Sequence, residues 1–204
     1  MITIIDYRTG NLGSIQNMLR KIRVESRVTS SPDEIAAATR IILPGVGAFD
    51  RGMEMLEKLG MKDILERKVL NDNVPVLGIC LGMQLMTRRS EEGSLPGLGW
   101  IDAETLRFRF TDTIRYKSPH MGWNFIDAKK ASRLLTNLPD KSRFYFVHSY
   151  YVKAADNDDT LTTTSYEQEF VSSFEKGNII GVQFHPEKSH RFGMALLKNF
   201  AELY

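Results

Sequence analysis

The segment Gly78-Ile79-Cys80-Leu81-Gly82 sets one sulfur between two glycines, where an apolar run gives way to a helical pattern. A sharp strand-to-helix turn of this form presents a nucleophile, here a thiol in place of a serine hydroxyl. The glycines let neighbouring backbone pass close to a strained turn. A helix N-terminus and a nearby imidazolium would both favour thiolate, the reactive form. The plainer alternative is a buried structural cysteine, a common fate of free thiols. The bracketing glycines and the strand-to-helix position favour chemistry.

A thiol nucleophile needs a base, and the base needs an orienting group. Among four histidines, His185 stands in His185-Pro186-Glu187, after the apolar run Ile179–Phe184. Residues i and i+2 of an extended segment project the same way, and Pro186 favours an extended His185. Glu187 can then hold one ring N–H and leave the other nitrogen for Cys80. The two residues are distant in sequence, so only folding unites them, at the carboxyl ends of strands where open α/β sheets keep their sites. A surface turn with a solvated His and Glu is the alternative. Pro44-Gly45-Val46-Gly47-Ala48-Phe49 supplies a third piece. A backbone N–H of Val46 or Gly47 would join that of Leu81 as an oxyanion hole. Taken alone, the segment is equally a plain glycine turn. No Gly-Lys-Ser/Thr follows it, so it is not a phosphate loop. His120 and His148 lack metal-ligand spacing, so no metal or cofactor is expected. Arg107, Arg109, Arg115 and Lys117 read as a solvated face.

The elements that must hold these residues alternate. Apolar runs at Ile2–Ile5, Val24–Thr29, Arg40–Leu43 and Val74–Ile79 read as strands. Between them lie helical stripes such as Leu12, Ile15, Leu19 and Ile22. Ser31-Pro32-Asp33-Glu34 reads as a capped helix start. Such alternation implies a mostly parallel sheet flanked by helices. Later strands at Leu106–Phe110, Phe144–Val152, Leu161–Ser165, Phe170–Phe174 and Ile179–Phe184 read as an antiparallel extension, before a last helix capped by Ser189. The chain has 204 residues, 27 basic and 25 acidic, with net charge +2, which argues against general nucleic-acid binding. One cysteine excludes an intramolecular disulfide and fits a reducing, cytoplasmic setting. Met1 runs straight into Ile2–Ile5 and Asp6, with no signal-peptide pattern, and no apolar stretch reaches the roughly 20 residues of a membrane span. One domain over residues 1–204 is expected.

Gly-Ile-Cys-Leu-Gly-Met-Gln at 78–84, His-Pro-Glu at 185–187 and Pro-Gly-Val-Gly-Ala-Phe at 44–49 together resemble the class I glutamine amidotransferases, whose fold is flavodoxin-like. Met83, Pro119-His120-Met121-Gly122-Trp123-Asn124, Val147-His148-Ser149-Tyr150-Tyr151 and the opening Ile-Ile-Asp-Tyr-Arg-Thr-Gly-Asn-Leu narrow the resemblance. They are similar to the glutaminase subunits of imidazole glycerol phosphate synthases, in histidine biosynthesis. The resemblance implies hydrolysis of L-glutamine to glutamate and ammonia. Cys80 would be the nucleophile, His185 the acid and base, and Glu187 its orienter. It implies substrate contacts at Gly45, Gly47, Gln84, Glu92, Ser149 and Tyr150. It also implies a heterodimer with a (β/α)8-barrel cyclase, with Asn11, Trp123, Tyr145 and Lys188 at the interface. Arg8 departs from the family, which commonly has glycine there. A peptidase-like cysteine hydrolase fits Gln84 and Glu92 poorly. A glutaminase for pyridoxal phosphate synthesis fits Pro-Gly-Val-Gly and Gly-Met-Gln poorly. A noncatalytic subunit would have no need of an intact Cys80, His185 and Glu187.

Overall fold

A computed structural model describes residues 1–204. The first half runs β1 (Ile2–Ile5), α1 (Leu12–Lys21), β2 (Ser26–Thr29), α2 (Pro32–Ala36), β3 (Ile41–Leu43), α3 (Phe49–Lys58), α4 (Lys62–Glu66), β4 (Val76–Ile79) and α5 (Leu81–Leu85). Then come β5 (Arg89–Ser90), β6 (Ala103–Arg107), β7 (His120–Phe125), β8 (Asp127–Ala128), β9 (Arg143–His148) and β10 (Tyr150–Ala154). The chain ends with β11 (Thr160–Tyr166), β12 (Gln168–Lys176), β13 (Ile179–Val182) and α6 (His190–Leu203). The main sheet has the order β2-β1-β3-β4-β13-β12-β10-β6-β5, with β11 on β12 and β8 on β11, while β7 and β9 form a separate ribbon. Strands β2, β1, β3, β4 and β13 are mutually parallel, and the strands beyond β13 are largely antiparallel. The expected mostly parallel sheet with helices and an antiparallel extension is therefore present.

Strands β1, β3, β4 and β13 are buried along their whole length, which explains why they read as unbroken apolar runs. Alternate residues feed opposite faces. Ile5, Leu43 and Val76 join α3 and α5 in one core, while Ile4, Ile42, Leu77 and Ile180 join α1 and α6 in the other. No helix is long and apolar enough to cross a membrane.

Four expectations change. The run Phe144–Val152 is two strands in two sheets: β9 pairs with β7, and β10 pairs with β6 and β12. The break falls at Ser149, whose carbonyl accepts from Phe108 N–H at 3.1 Å while Tyr145 O accepts from His185 N–H at 2.9 Å. The alternation Leu106–Phe110 persists in burial, but the strand stops at Arg107, because its partner β10 begins only at Tyr150. The helix after Cys80 is five residues long, so its dipole is small. Its end is fixed by returning chain, with Leu98 N–H on Leu85 O at 2.8 Å and Ile101 N–H on Met86 O at 3.1 Å. Ser31 and Ser189 occupy N-cap positions without making cap bonds. Ser189 Oγ donates to His185 O at 2.6 Å and accepts from Tyr145 N–H at 3.0 Å, which ties the His185 segment to the ribbon.

Candidate active site

Cys80 follows β4 at φ +53° and ψ −107°, outside the regions that ordinary side chains favour. Close packing holds it there. A Cβ on Gly82 would lie 1.7 Å from Leu43 O, so only glycine permits this approach of α5 to β3. The pairing of β4 with β13 continues through Cys80, whose N–H donates to Val182 O at 2.8 Å. His185 follows three residues later, and the two side chains line one cavity of about 320 Å³. His185 Nδ1 lies 2.8 Å from Glu187 Oε1, with side chains 2% and 3% exposed. The expected extended path between them is not kept: only His185 is extended, and Pro186–Lys188 forms a 3-10 turn closed by Lys188 N–H on His185 O at 3.1 Å. His185 Nε2 has no hydrogen-bond partner. Burial opposes a charge on His185, but the Cys80 sulfur and the Glu187 carboxylate outweigh it and raise its pKa well above the ordinary imidazole value.

The same cavity takes in Val46, Gly47 and Leu81. Leu81 N–H is already engaged, donating to Gly45 O at 3.3 Å. In a trans peptide the carbonyl and the next N–H point opposite ways, so the Val46 N–H is turned away from that of Leu81. Two parallel oxyanion donors are therefore not presented in this conformation. Gly45 does not line the cavity. It packs below, where a Cβ would meet the Tyr7 hydroxyl at 2.1 Å.

Gln84, Glu92, Ser149 and Tyr150 all line the cavity. Gln84 Nε2 donates to Gln183 Oε1 at 3.0 Å and lies 3.3 Å from Tyr150 O. Glu92 Oε2 accepts from Phe49 N–H at 2.9 Å. Partial burial raises the Glu92 pKa, a rise that the Phe49 hydrogen bond opposes and Asp50 reinforces. Two residues were not singled out from sequence. Gln183 is fully buried, with Nε2 3.7 Å from Cys80 Sγ. Its signal was a polar residue in an apolar strand, two before His185 and so on the same side. His148 lines the cavity and is buried, not solvated.

The expected interface residues lie outside the cavity. Trp123 is 41% exposed, which excludes a core role, and its ring stacks on His190 at 5.5 Å. Tyr145 is its cross-strand partner, and Lys188 Nζ lies 5.7 Å from the Tyr145 ring centre. Asn11 is exposed just before α1. Arg8 sits at φ +66°, a glycine-like conformation, with its N–H on Asp6 Oδ1 at 3.0 Å.

The sequence profile described as glutamine amidotransferase class-I matches residues 3–203. A relative from Methanococcus maripaludis, the imidazole glycerol phosphate synthase subunit HisH 2, is 54% identical over 98% of each chain. The protein of the same description from Pseudomonas aeruginosa is 48% identical over the whole of both chains. Solved structures share the fold at lower identity. One described as a glutamine amidotransferase superposes with TM-score 0.75 at 15% identity, over 99% of this chain and 97% of that one. PurLQS from Thermotoga maritima superposes with TM-score 0.73 at 15% identity, over 98% and 96%. With the match running from the first strand to the last helix, the chain belongs to the class-I glutamine amidotransferases, among the HisH subunits.

Proposed function

We propose that this protein is the glutaminase subunit of an imidazole glycerol phosphate synthase, acting in histidine biosynthesis. The observation that carries the reading is the strained Cys80 turn meeting a Glu187-bound His185 in one cavity. The Cys80 sulfur attacks the side-chain amide carbon of L-glutamine while His185 carries the thiol proton. The C–N bond breaks as His185 protonates the departing ammonia. Water, deprotonated by His185, then cleaves the thioester and releases glutamate with free Cys80. Glu187 orients His185 throughout. Glu92 meets the substrate ammonium, with Gln84 and the Gly47, Ser149 and Tyr150 backbone at its amino-acid end.

Both tetrahedral intermediates place an oxyanion near Leu81. A pair of donors there requires the Gly45–Val46 peptide to turn over, which frees Leu81 N–H and presents Val46 N–H. One such donor contributes about 2.7–4 kcal/mol to transition-state stabilisation. The subunit alone is therefore slow, and docking of a cyclase partner carrying its ligand accelerates it. The partner is a (β/α)8 barrel, meeting the face of Asn11, Trp123, Tyr145 and Lys188, with Trp123 as an aromatic anchor. Ammonia passes directly to it, since protonation in bulk water would end its nucleophilicity. The reading implies one domain over 1–204, a cytoplasmic setting, and neither nucleic acid nor membrane as partner.

The test is glutaminase activity alone and with the liganded cyclase, for the parent and for Cys80→Ala. The expected result is strong stimulation of the parent. Cys80→Ala loses glutamine use and leaves ammonia-dependent synthesis by the complex intact. Equal parent rates in both settings overturn the gating, and loss of ammonia-dependent synthesis in Cys80→Ala overturns the assignment of the nucleophile.

A further inference from the structure

Two histidines unused by this reaction lie side by side, His148 in the cavity wall and His120 behind it. His120 and His148 are cross-strand partners in the β7–β9 ribbon, 3% and 5% exposed. His120 Nδ1 is 2.9 Å from His148 Nε2, and His148 Nδ1 is 2.7 Å from Tyr150 O. A carbonyl only accepts, so His148 carries a proton on Nδ1. Neither ring forms an ion pair with a carboxylate, and burial lowers the pKa of His120 to about 4. His148 falls to about 3, because burial, aided by His120 and His185, outweighs its bond to Tyr150 O. Both rings are therefore neutral near pH 7. It follows that His148 Nε2 accepts and His120 Nδ1 donates. His120 Nε2 then accepts from Asn124 Nδ2 at 3.4 Å, and Asn124 is itself oriented by Phe125 N–H on its Oδ1 at 2.8 Å. Every proton along this line is assigned, and the line ends on the Tyr150 carbonyl.

That carbonyl lies at the break between the two sheets. Phe108 N–H holds the Ser149 carbonyl on one edge; on the other the Tyr150 carbonyl accepts from His148 at 2.7 Å and, more weakly, from Gln84 Nε2 at 3.3 Å. In a strand, the N–H and C=O of one residue face the same edge. Anchoring the Tyr150 carbonyl therefore also sets the direction of the Tyr150 N–H. We propose that His148, held in one tautomer by His120, is a positioning residue for glutamine: it fixes the Ser149–Tyr150 backbone that receives the substrate's α-carboxylate. This rests on the glutaminase reading, and it assigns His148 no contact with the reacting atoms.

Two substitutions separate its nitrogens. The Asn amide reaches the Nδ1 position and can still donate to Tyr150 O, whereas the Gln amide reaches the Nε2 position and cannot. His148→Asn is expected to keep KM for glutamine within about threefold of the parent. His148→Gln raises it about tenfold, with kcat within about twofold, as for the loss of one buried hydrogen bond. Iodoacetamide, which has no amino-acid end, alkylates Cys80 at parent rate in both variants. A glutamine-like diazo ketone inactivates His148→Gln about tenfold more slowly than the parent. His120→Phe keeps a ring against Phe146 and Tyr166 while removing the donor to His148, and gives the same KM split where the His148 variants do not fold. Equal KM in all variants, equal slowing toward both reagents, or a fall in kcat in place of the KM rise overturns the proposal. A parent that neither hydrolyses glutamine nor reacts with the diazo ketone shows instead that the glutaminase reading has failed, and the proposal falls with it.

Discussion

Two glycine-bracketed turns leave adjacent parallel strands on the same edge of the sheet, yet one is locked and the other is loose. Around the end of β4, a Cβ on Gly78 would meet the Met83 and Gly82 backbone and one on Gly82 the Leu43 carbonyl, and Cys80 between them is buried at positive φ. After β3, a Cβ on Gly47 would meet nothing within 4 Å, and Val46 is 44% exposed. Glycine serves close approach throughout the first turn; in the second it does so at Gly45, where a Cβ would lie 2.1 Å from the Tyr7 hydroxyl, and gives conformational freedom at Gly47. On the proposed function, the nucleophile is held in place before any substrate arrives, while the Val46–Gly47 side of the turn assigned to the oxyanion hole has room to move.

The hardest way to break the contrast is Gly82→Ala. Its Cβ would collide with the Leu43 carbonyl, which is sheet backbone and cannot yield. The expected cost is about 3 kcal/mol or more. For a chain of this size that is a fall of about 10 °C in Tm, or no soluble protein. Activity disappears with it. Thermal melting checks this, and a Tm within about 2 °C of the parent would show that the turn is less constrained than its contacts imply.

Glu187→Gln tests the locked side by its chemistry. The side chain remains similar in shape, but the carboxylate that helps to hold a proton on His185 is gone. A drop in kcat of about 10²–10⁴-fold is expected. The Cys80 sulfur and Glu187 raise the folded pKa of His185 against burial. The associated stability is fully present below the unfolded imidazole value of about 6.5 and is lost as pH rises through the folded value. Removing the carboxylate lowers that folded value, so the alkaline limb of kcat/KM and the alkaline loss of stability both move to lower pH. Profiles of rate and Tm against pH measure the two shifts, and an unmoved alkaline limb would mean that Glu187 does not charge His185.

Gly47→Ala probes the loose side. No atom opposes the new methyl, but φ +112° is strained for any L side chain. The strain of about 1–3 kcal/mol is relieved by movement of an exposed loop, so Tm changes little. The loop then leaves the geometry that only glycine allows, and kcat falls about tenfold. Melting and steady-state kinetics together show whether stability and activity separate here, as they do not at Gly82. A large fall in Tm with unchanged kcat would reverse the assignment of the two turns.

The locked turn was the more legible in sequence. Gly-Ile-Cys-Leu-Gly carries its geometry in residue type, because a strained elbow needs small neighbours. His-Pro-Glu marked the pair but not its path, because Pro186–Lys188 winds into a turn of 3-10 helix and Glu187 meets the ring across that turn. The parallel strands were legible because burial on both faces leaves an unbroken apolar run. The split at Ser149 was not. Alternating aromatics on both sides of it satisfy a single strand equally well, and only the Phe108 and His185 bonds decide that the chain changes sheet. The place of Gln183 in the site and the pairing of His120 with His148 were not legible for a related reason. A buried polar side chain is defined by partners distant in sequence, and local pattern does not name them. The orientation of the Gly45–Val46 peptide was equally invisible, since Pro-Gly-Val-Gly permits either.

A third turn, after β1, supports the loose one from below and gives the smallest expected effect. The Tyr7 hydroxyl and Gly10 both pack against Gly45, and Arg8 between them holds a left-handed backbone. A non-glycine residue there pays roughly 1–2 kcal/mol. Glycine would remove that strain but lose about 0.5–1 kcal/mol to its greater freedom when unfolded. The Arg8 side chain is exposed and makes no ion pair, and its backbone bond to Asp6 needs no side chain. Arg8→Gly should therefore raise Tm by about 2 °C at most and leave glutamine turnover of the isolated subunit unchanged, because Tyr7 and Gly10 keep their places under Gly45. Melting and turnover of the free subunit, followed by stimulation by the cyclase, resolve the remaining role. A stable variant with normal basal rate but altered stimulation would place the Arg8 side chain at the docking face and leave the backbone of the turn as the support of the loose peptide.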